Sequence, residues 1–290
     1  LVRAIALVAA PLSLHPVTDA AETHFDPAAP DVLDLRNVDL AVLQLGNVSA
    51  AAGQASVGYV RRAVELALEG QVDAITTGPI NKAALQAAGI HYIGHTELLA
   101  ALTGAERVTT ALATSELMVV HVTLHMPLRE VAAHVTYDRV LETIRLTDAG
   151  LRKMGTLRPR LAVAALNPHA GDEGLLGQEE SEIIGPAVET AQLEGIDAQG
   201  PIPADSLFFR ANRGEFDAVV AMYHDQGHIP VKSHGLLHSV AVTLGLPIVR
   251  TSVDHGTAFD IAWQGLANEG SLVEAIRLAA RLSKPHNRFS

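Results

Sequence analysis

Short apolar runs alternate along this chain with longer stretches in which apolar residues recur every three or four positions. The short runs are typical of buried strands, whereas the longer period is typical of helices that pack on one face. The predicted strands are Ala4–Ala9, Leu40–Leu45, Val72–Thr76, Val108–Leu112, Leu117–Val122, Leu161–Leu166, Ala218–Met222, Ser239–Leu244 and Ile248–Thr251. The predicted helices are Gly53–Leu68, Asn81–Ala88, Tyr137–Met154, Ser181–Leu193 and Ser271–Leu282.

This order of elements predicts an α/β fold with a mixed, mostly parallel sheet flanked by helices. The two strands that begin near Val108 flank a short polar segment, which predicts an antiparallel pair. A loop rich in Pro, Asp and Ala, roughly Pro16 to Pro30, joins the first two strands. No clear linker interrupts residues 1–290, so we expect two intimate, intertwined subdomains without a sharp boundary.

Composition narrows the possible partners. Of the 290 residues, 48% are apolar but only 4% are aromatic, which suits parallel strands beneath helices. The net charge of −11 argues against nucleic acid or an anionic membrane as a partner. Cysteine is absent, so disulfides and thiolate metal sites are excluded. No apolar stretch is long enough to span a bilayer, and we expect a cytoplasmic enzyme.

Four histidines lie in short blocks rich in turn residues, namely Leu124–Leu128, Asn167–Gly171, Tyr223–Gly227 and Asp254–Ala258. Three of them, His125, His169 and His224, each follow a predicted strand. Neighbouring parallel strands lie about 4.8 Å apart, so these imidazoles could meet around one divalent cation. The alternative is that each histidine hydrogen-bonds to the backbone of its own loop.

Candidate anion-binding groups lie near two turns and among the few cations. Thr77-Gly78-Pro79 leads into a predicted helix with Lys82 in its first turn, where backbone N–H groups suit a phosphate or carboxylate. His95 and Thr96 lie in a second turn, in which Thr96 is alternatively a helix cap. Lys232 is predicted to share a loop with His224. Arg250 lies in an apolar strand and requires a partner, either a ligand anion or a structural carboxylate.

A dinucleotide site is less evident. No GxGxxG follows a predicted strand, so the ordinary Rossmann fingerprint is absent. The small residues of Asp254–Ala262 would allow an adenine to approach the backbone closely. This segment is therefore the candidate for a nucleotide-binding loop.

Taken together, these blocks resemble the 4-hydroxythreonine-4-phosphate dehydrogenase family of pyridoxal-phosphate biosynthesis. The resemblance spans about Ile75 to Ala262. It rests on Thr77-Gly78-Pro79 with Lys82, Gly94–Glu97, Asn167–Gly171, Pro203–Asp205, Tyr223–Gly227 and Arg250–Ala258, which follow in the family's order.

The resemblance implies an isocitrate- or isopropylmalate-dehydrogenase-like fold and a homodimer with active sites at the subunit interface. It implies that the secondary alcohol of a phosphorylated hydroxy acid, with 4-hydroxythreonine-4-phosphate as the first expectation, is oxidised with NAD or NADP, and that the resulting β-keto acid loses carbon dioxide. The implied metal is zinc, cobalt or magnesium, with ligands His125, His169 and His224. The other implied roles are substrate binding by His95, Thr96, Lys232 and Arg250, catalysis by Lys232, Asp205 and Asp225, and cofactor binding by His255, Gly256, Thr257, Ala258 and Asp260.

Three features depart from the family pattern. The glycine-rich segment with which the family begins is missing, and the first residue is not Met, so we expect that the sequence starts inside a longer chain. Ala241 stands where the family has a substrate-binding Asn, which puts the exact substrate in question. Trp263 stands beside the expected adenine site, where it would either stack on the base or block it.

Three other functions remain open at this stage. The first is a dehydrogenase of threonate or erythronate phosphates, which the altered pocket at Ala241 favours slightly. The second is a non-catalytic homologue that binds metal or ligand, favoured by the missing glycine-rich segment. The third is a metal-dependent hydrolase, which would turn over esters without nucleotide.

Overall fold

The computed structural model describes residues 1–41, 43–92, 94–114, 117–235 and 239–283. Its helices are α1 (Val2–Leu7), α2 (Ala50–Leu68), α3 (Lys82–Ala87), α4 (His95–Thr103), α5 (Leu128–His134), α6 (Tyr137–Lys153), α7 (Gly185–Leu193), α8 (Ala204–Asn212), α9 (His224–Gly235) and α10 (Gly270–Leu282). Its strands are β1 (His15–Val17), β2 (Asp31–Leu33), β3 (Ala74–Thr77), β4 (Thr109–Ala113), β5 (Met118–His121), β6 (Arg160–Ala164), β7 (Asp197–Ile202), β8 (Ala218–Ala221), β9 (Val240–Leu244) and β10 (Val249–Val253).

Eight strands form one mixed sheet in the order β3-β10-β9-β4-β5-β8-β6-β7. The four strands β5, β8, β6 and β7 are parallel, as are β3 and β10, while β9 and β4 pair antiparallel with their neighbours. This confirms the predicted α/β class and the antiparallel pair β4–β5. The strands β1 and β2 form a separate two-stranded parallel sheet. The division into two subdomains stays a prediction.

The antiparallel centre makes the two parallel groups point in opposite directions. Val240 pairs with Val253 on one side and with Ala113 on the other, and Ala113 pairs with Met118. The carboxyl end of β10 therefore lies at the same edge as the amino end of β5. It follows that the loops after β3 and β10 leave one edge of the sheet, while those after β5, β8, β6 and β7 leave the other.

Helices cover both faces of this sheet. Alternate strand residues point to opposite faces, and two separate clusters of buried side chains result. One cluster includes Ile144 of α6 and Val188 of α7, and the other includes Leu207 of α8 and Val231 of α9. A third cluster joins α2, α4 and β3 around Val60. Fully burying such a side chain contributes roughly 1.5–3 kcal/mol, so these clusters hold the strand ends in place.

Two predicted strands near the amino terminus were wrong. The segment predicted as Ala4–Ala9 forms helix α1, and Leu40–Leu45 contains turns instead of a strand, with Val42 outside the described residues. A short apolar run fits either period, and Ala and Leu favour a helix where no neighbouring strand accepts hydrogen bonds. The loop predicted from Pro16 also begins inside β1.

Helices α4, α5, α8 and α9 were not predicted. Gly94, Pro127 and Pro203 immediately precede the first three, and Pro230 lies inside α9. Glycine and proline are strong signals for turns, yet both are also common at the first turn of a helix. Among the described residues, no helix combines the length and the apolar character that crossing a membrane requires.

Candidate active site

The three histidines predicted as metal ligands lie at the carboxyl ends of adjacent strands. His125 follows β5, His224 follows β8 and His169 follows β6, and β8 lies between the other two strands. These strands are parallel, so the three loops leave the same edge of the sheet. We call this edge, with its histidine-bearing loops, the histidine edge.

Side-chain hydrogen bonds hold these three loops together. The Gln226 side chain accepts from the backbone N–H of Met222 at 2.7 Å and donates to the carbonyl of Ala165 at 2.7 Å. The Thr123 hydroxyl donates to the carbonyl of Met222 at 2.7 Å. Gln226 therefore links the end of β8 to the end of β6, and Thr123 links the loop after β5 to the loop after β8.

Four imidazoles cluster at the histidine edge. The ring centroids of His125 and His224 lie 5.8 Å apart, and His228 stacks on His224 with centroids 3.6 Å apart and planes 9° apart. His228 Nδ1 lies 3.2 Å from Nε2 of His121, the last residue of β5. Helix α9 approaches β5 this closely because Gly227 has no side chain; a Cβ there would lie 2.3 Å from His121 Nε2.

Burial disfavours the charged form of the inner two imidazoles. Burial, followed by the neighbouring charges of His228 and His224, lowers the pKa of His121 to about 3. The pKa of His228 is also lowered, chiefly by burial and then by His224. His224 Nδ1 lies 2.7 Å from the carboxylate of Asp225. If Nδ1 carries the hydrogen of this bond, Nε2 keeps a free lone pair, which is the usual orientation of a metal-binding histidine.

His169 lies in a left-handed turn. Residues 169–173 all have positive φ, from 45° to 82°, which is rare for residues other than glycine. The Glu180 carboxylate accepts from the backbone N–H groups of Leu166 and Asn167 at 2.8 and 2.7 Å, and the Asn167 side chain donates to Glu179 and Glu180. These bonds hold the turn, so His169 is exposed on a constrained loop.

The three predicted ligands do not converge fully. Within the described part of the chain, the donor atoms of His125, His169 and His224 do not all lie within 4.8 Å of one another. His125 and His224 are ring neighbours, whereas His169 projects from the adjacent loop. The one described group that meets this distance lies at the β1–β2 sheet.

The prediction that Lys232 shares a loop with His224 was wrong, because both residues lie on helix α9. His224, His228 and Lys232 follow one face of this helix at intervals of four residues, so Lys232 lies about 12 Å beyond His224. Lys232 Nζ is 3.1 Å from Oδ2 of Asp254, the residue directly after β10. An open groove of about 380 Å³ runs along this face, lined by His224, Asp225, His228, Ile229, Lys232 and Ser233.

The two acidic residues predicted to act in catalysis occupy different positions. Asp225 lies in this groove and contacts His224. Asp205 is exposed in the first turn of α8, after β7. It lines neither this groove nor the cavity beside His95. Both lie on the side of the sheet where the histidine edge is, since β7 is parallel to β6.

Arg250 is buried in β10 without a counter-ion. Only 4% of its surface is exposed, and its guanidinium donates to the hydroxyls of Thr77 and Thr243 at 2.6 and 2.9 Å. Its buried Nε has no hydrogen-bond partner, and no ion pair to a described carboxylate is formed. Burial lowers the pKa of Arg250 to about 10, so it remains charged at neutral pH.

A cavity of about 280 Å³ lies between α2, the end of β3 and the start of α4. Burial and the charge of Arg250 lower the pKa of His95, which lines this cavity, to about 4. Thr96 follows in the first turn of α4, while Lys82 is exposed at the start of α3 and does not line the cavity. The other lining residues are Ser56, Tyr59, Val60, Ala63, Ile75, Thr76, Thr77, Gly78, Pro79 and Ile80. We call this space, with Arg250 behind it, the arginine cavity.

Ala241 shares a face of the sheet with Arg250. Ala241 pairs with Ser252, which pairs in turn with Thr77 on β3. Residues two apart on a strand point to the same face, so Ala241 and Thr243 of β9 lie on the face of Arg250 and Ser252. A longer polar side chain at this position would therefore extend over the face that carries the arginine.

The predicted nucleotide-binding loop follows β10 directly. It lies beside the turn after β3, because the Asn81 side chain donates to the Thr257 hydroxyl at 3.3 Å. Ala258 has a φ of 43°, and the space next to Gly256 is open. Trp263 is 41% exposed. This places the predicted cofactor residues His255, Gly256, Thr257, Ala258 and Asp260 at the edge opposite the histidine edge.

Sequence reasoning missed His121 and His228. The spacing of His224, His228 and Lys232 is helical, but Gly227 and Pro230 made the segment look like a loop. Recognition of the helix would have shown that the three residues share one face. His121 had no sequence signal of its own, since a histidine within an apolar strand is usually a structural residue.

The sequence comparison now decides the family. The family model described as pyridoxal phosphate biosynthetic protein PdxA matches residues 1–279. The chain belongs to this family. Among PdxA relatives, 4-hydroxythreonine-4-phosphate dehydrogenase of Desulforapulum autotrophicum is 47% identical over 279 residues, covering 96% of this chain and 82% of the relative. D-threonate 4-phosphate dehydrogenase of Cupriavidus necator is 48% identical over 278 residues, covering 96% and 83%.

A solved PdxA structure also agrees with the fold. The crystal structure of 4-hydroxythreonine-4-phosphate dehydrogenase from Klebsiella pneumoniae has a TM-score of 0.92 and 45% sequence identity. The match covers 97% of this chain and 87% of the other. The mixed sheet and its flanking helices are therefore the architecture of the PdxA family.

Proposed function

We propose that this chain is a metal-dependent NAD or NADP dehydrogenase that oxidises the secondary alcohol of a small phosphorylated hydroxy acid. The β-keto acid so formed would then lose carbon dioxide. Membership of the PdxA family and the enzyme names of its relatives support an oxidoreductase of this class. A cytoplasmic location, expected from the sequence, is part of the proposal.

The uncompensated charge of Arg250 is the observation that carries the proposal. Among the described residues this buried guanidinium meets only two hydroxyls, so it has lost its hydration without gaining a counter-ion from them. An anionic group in the adjoining cavity would restore the missing interaction, and it would reach the first turn of α4 near His95. We assign Arg250, His95, Thr96 and Lys232 to substrate binding on this ground and on the family resemblance.

The donor groups at the histidine edge fit a divalent metal. His125, His169 and His224 offer nitrogen donors, and Asp225 orients His224. A site built from neutral imidazoles suits zinc or cobalt, while substrate oxygens would also admit magnesium. His169 must come closer to the other two histidines, either by a shift of its loop or from a second copy of the chain.

Exposed apolar residues around the same loops support a homodimer. Leu128 follows His125 and is 71% exposed, Leu175 follows the His169 turn and is 82% exposed, and Ile229 of α9 is 61% exposed. Such residues beside three adjacent strand ends support a surface that another protein covers. We propose that a second copy packs on the histidine edge, which would place the active site at the subunit interface.

The residues of the groove have distinct proposed roles in catalysis. When bound, the metal would stabilise negative charge on the alcohol oxygen, and the nicotinamide would accept the hydride. Lys232 would accept the alcohol proton at Nζ as the neutral amine and then release it to solvent along the groove, while Asp254, at 3.1 Å, holds this nitrogen in place. Asp225 would orient His224, and Asp205 would contribute a second carboxylate from α8.

The loop after β10 is the proposed nucleotide site. Small residues and the open space beside Gly256 would let a planar base approach the backbone. His255, Thr257, Ala258 and Asp260 would line this approach. The neighbouring turn at Asn81 would position Thr257 through the hydrogen bond between their side chains.

Ala241 favours D-threonate 4-phosphate over 4-hydroxythreonine-4-phosphate. The two substrates differ at C2, where the first carries a hydroxyl and the second an ammonium group. An Asn side chain would accept a hydrogen bond from that ammonium, whereas Ala241 accepts none. Leaving a buried charged group unpaired costs far more than leaving a hydroxyl unpaired, so the sugar acid suits this pocket better.

The test is NAD(P)H formation, followed by near-ultraviolet absorbance, with zinc, cobalt or magnesium in separate reactions. D-threonate 4-phosphate, D-erythronate 4-phosphate and 4-hydroxythreonine-4-phosphate would be compared with unphosphorylated D-threonate. We expect turnover of the phosphorylated sugar acid, much less with the unphosphorylated one, and none without metal. A protein that binds metal but transfers no hydride from any of these compounds would instead be a non-catalytic homologue.

A further inference from the structure

A second cluster of side chains of the types that bind metals lies near the amino terminus, far along the chain from the residues of the candidate active site. His15 begins β1 and Asp31 begins β2, and these two residues are direct partners in the parallel β1–β2 sheet. The intervening segment folds back so that His24 reaches the same point. These three residues form the N-terminal cluster.

Their donor atoms face one common space. His15 Nδ1 is 2.8 Å from Oδ1 of Asp31 and 3.3 Å from Nδ1 of His24. All three donor atoms lie within 4.8 Å of one another. Ligands arranged tetrahedrally around zinc, each about 2.0–2.1 Å from the ion, lie about 3.3 Å from one another. The separation of the two imidazole nitrogens therefore matches that expected for shared ligands.

Hydrogen bonding alone does not account for this arrangement. A neutral imidazole Nδ1 either carries one hydrogen or accepts one. If His15 Nδ1 donates to Asp31, the facing Nδ1 of His24 must share that single hydrogen or bring its own hydrogen against it. The tilt of 47° between the two rings also excludes stacking as the reason for their approach. A cation between the donors would use a lone pair from each of them.

The backbone holds Asp31 ready for this role. Its second oxygen, Oδ2, accepts from the backbone N–H groups of His24 and Phe25 at 3.1 and 2.9 Å. Oδ1 is thereby directed toward the two histidines. Hydrogen-bonded outer partners of this kind are typical of metal ligands.

We propose that His15, His24 and Asp31 form a second metal site, which binds a divalent transition ion such as Zn²⁺ with water in the fourth position. Two nitrogens and one carboxylate oxygen are a usual zinc ligand set. The ion would fasten residues 18–30 onto the β1–β2 sheet. This proposal is independent of the proposed function, because its ligands lie outside the candidate active site and its test measures metal content instead of dehydrogenase activity.

The test is the zinc content of the full chain after equilibration with Zn²⁺ and dialysis. In a His224→Ala background, which weakens the candidate active site, we expect about one zinc ion per chain. Adding His24→Ala should remove it, since the side chain of His24 is exposed and its loss leaves the backbone bonds to Asp31 intact. His134→Ala is the matched control because it removes an exposed histidine from the end of α5.

The expected loss of affinity on His24→Ala exceeds the roughly tenfold typical of outer-partner substitutions, and His134→Ala should leave zinc binding unchanged. Co²⁺ provides a second readout in the chain without the His224 change, because tetrahedral sites absorb strongly in the visible range. His24→Ala and Asp31→Asn should each remove one cobalt ion per chain. Equal metal content in wild type and both variants would overturn the proposal, and His15 and Asp31 would then form only an ordinary ion pair.

Discussion

The histidine edge and the arginine cavity concentrate chemistry in opposite ways. At the histidine edge, several imidazoles gather at the carboxyl ends of parallel strands. In the arginine cavity, a single charge is buried within a strand, and among the described residues its hydrogen-bond partners are two hydroxyls. The first region has donor atoms that require a cation, whereas the second has a cation that requires an anion.

The two regions differ in how far their site residues can be predicted from the sequence. A histidine after a strand is visible because the strand pattern and the turn residues mark its position. The hydrogen-bond partners of Arg250 depend on which side chains β3 and β9 place beside it. Strand β3 is distant from β10 in the sequence, so local pattern does not reveal these partners. Helix α9 connects the two regions, since His224 lies at one of its ends and Lys232 reaches Asp254 toward the other.

Substituting His169 should have the largest effect. We expect His169→Ala to lose both metal and dehydrogenase activity while the protein remains folded, because the side chain is exposed. Metal analysis and NAD(P)H formation would be measured together. Asp172→Ala is the matched control in the same left-handed turn. Metal content that is unchanged in His169→Ala, or lost equally in Asp172→Ala, would contradict the assignment of His169 as a ligand.

Removing the stacked ring of His228 should have a smaller effect. We expect His228→Ala to lower kcat by roughly tenfold with little change in KM, in the range of substitutions that disturb ligand orientation. His228→Phe should recover much of the loss, because a phenyl ring can still stack on His224. Ser233→Ala, on the same helix and groove, is the control. Equal losses in His228→Ala and His228→Phe would show that stacking is not the cause.

Ala241→Asn should change specificity more than rate. The added amide would extend over the face that carries Arg250, where it could accept a hydrogen bond from a substrate ammonium. We expect the ratio of kcat/KM for 4-hydroxythreonine-4-phosphate to that for D-threonate 4-phosphate to rise by roughly tenfold or more. Ala241→Val is the control for added volume. An unchanged ratio in Ala241→Asn would mean that this position does not contact the substrate.

We expect the smallest effect from the titration of His95, which should make the free energy of unfolding depend on pH. Its pKa is near 6.5 when unfolded and about 4 when folded, so the unfolded chain binds more protons between these values. Stability should therefore fall as pH drops from 6.5 to 4, by up to about 1.4 kcal/mol per pH unit. The free energy of unfolding of His95→Asn should depend less on pH in this window. If the free energy of unfolding depends on pH equally in wild type and in His95→Asn, the lowered pKa of His95 would be refuted.

Much of the fold could be predicted from the sequence. The strands from β3 onward, except β7, and helices α2, α6 and α10 follow strong periodic patterns, and buried packing enforces those patterns. Strand β7 was missed, because Gly200 and Pro201 interrupt its apolar pattern. Helix α9 could not be predicted in this way, because Gly227 serves close packing on His121 rather than a turn. The first helix, α1, was mistaken for a strand because a short apolar run has no decisive period.

The candidate site was predicted only in part. The strand-end positions of His125, His169 and His224 followed from local pattern, and the parallel order of β5, β8 and β6 brings these positions to one edge. The stacking partner His228 and the absence of a counter-ion near Arg250 are tertiary properties. Local sequence patterns do not predict these properties, since they depend on which elements become neighbours in the fold.

The central claim is that the arginine cavity binds the anionic substrate, and calorimetric titration of D-threonate 4-phosphate tests it most directly. We expect binding to the wild-type chain to weaken by at least roughly a hundredfold in Arg250→Met, because the charge-assisted bonds to the anion are lost. Arg250→Lys, which keeps the charge, should bind with intermediate affinity. Equal affinity in wild type and Arg250→Met would contradict the account.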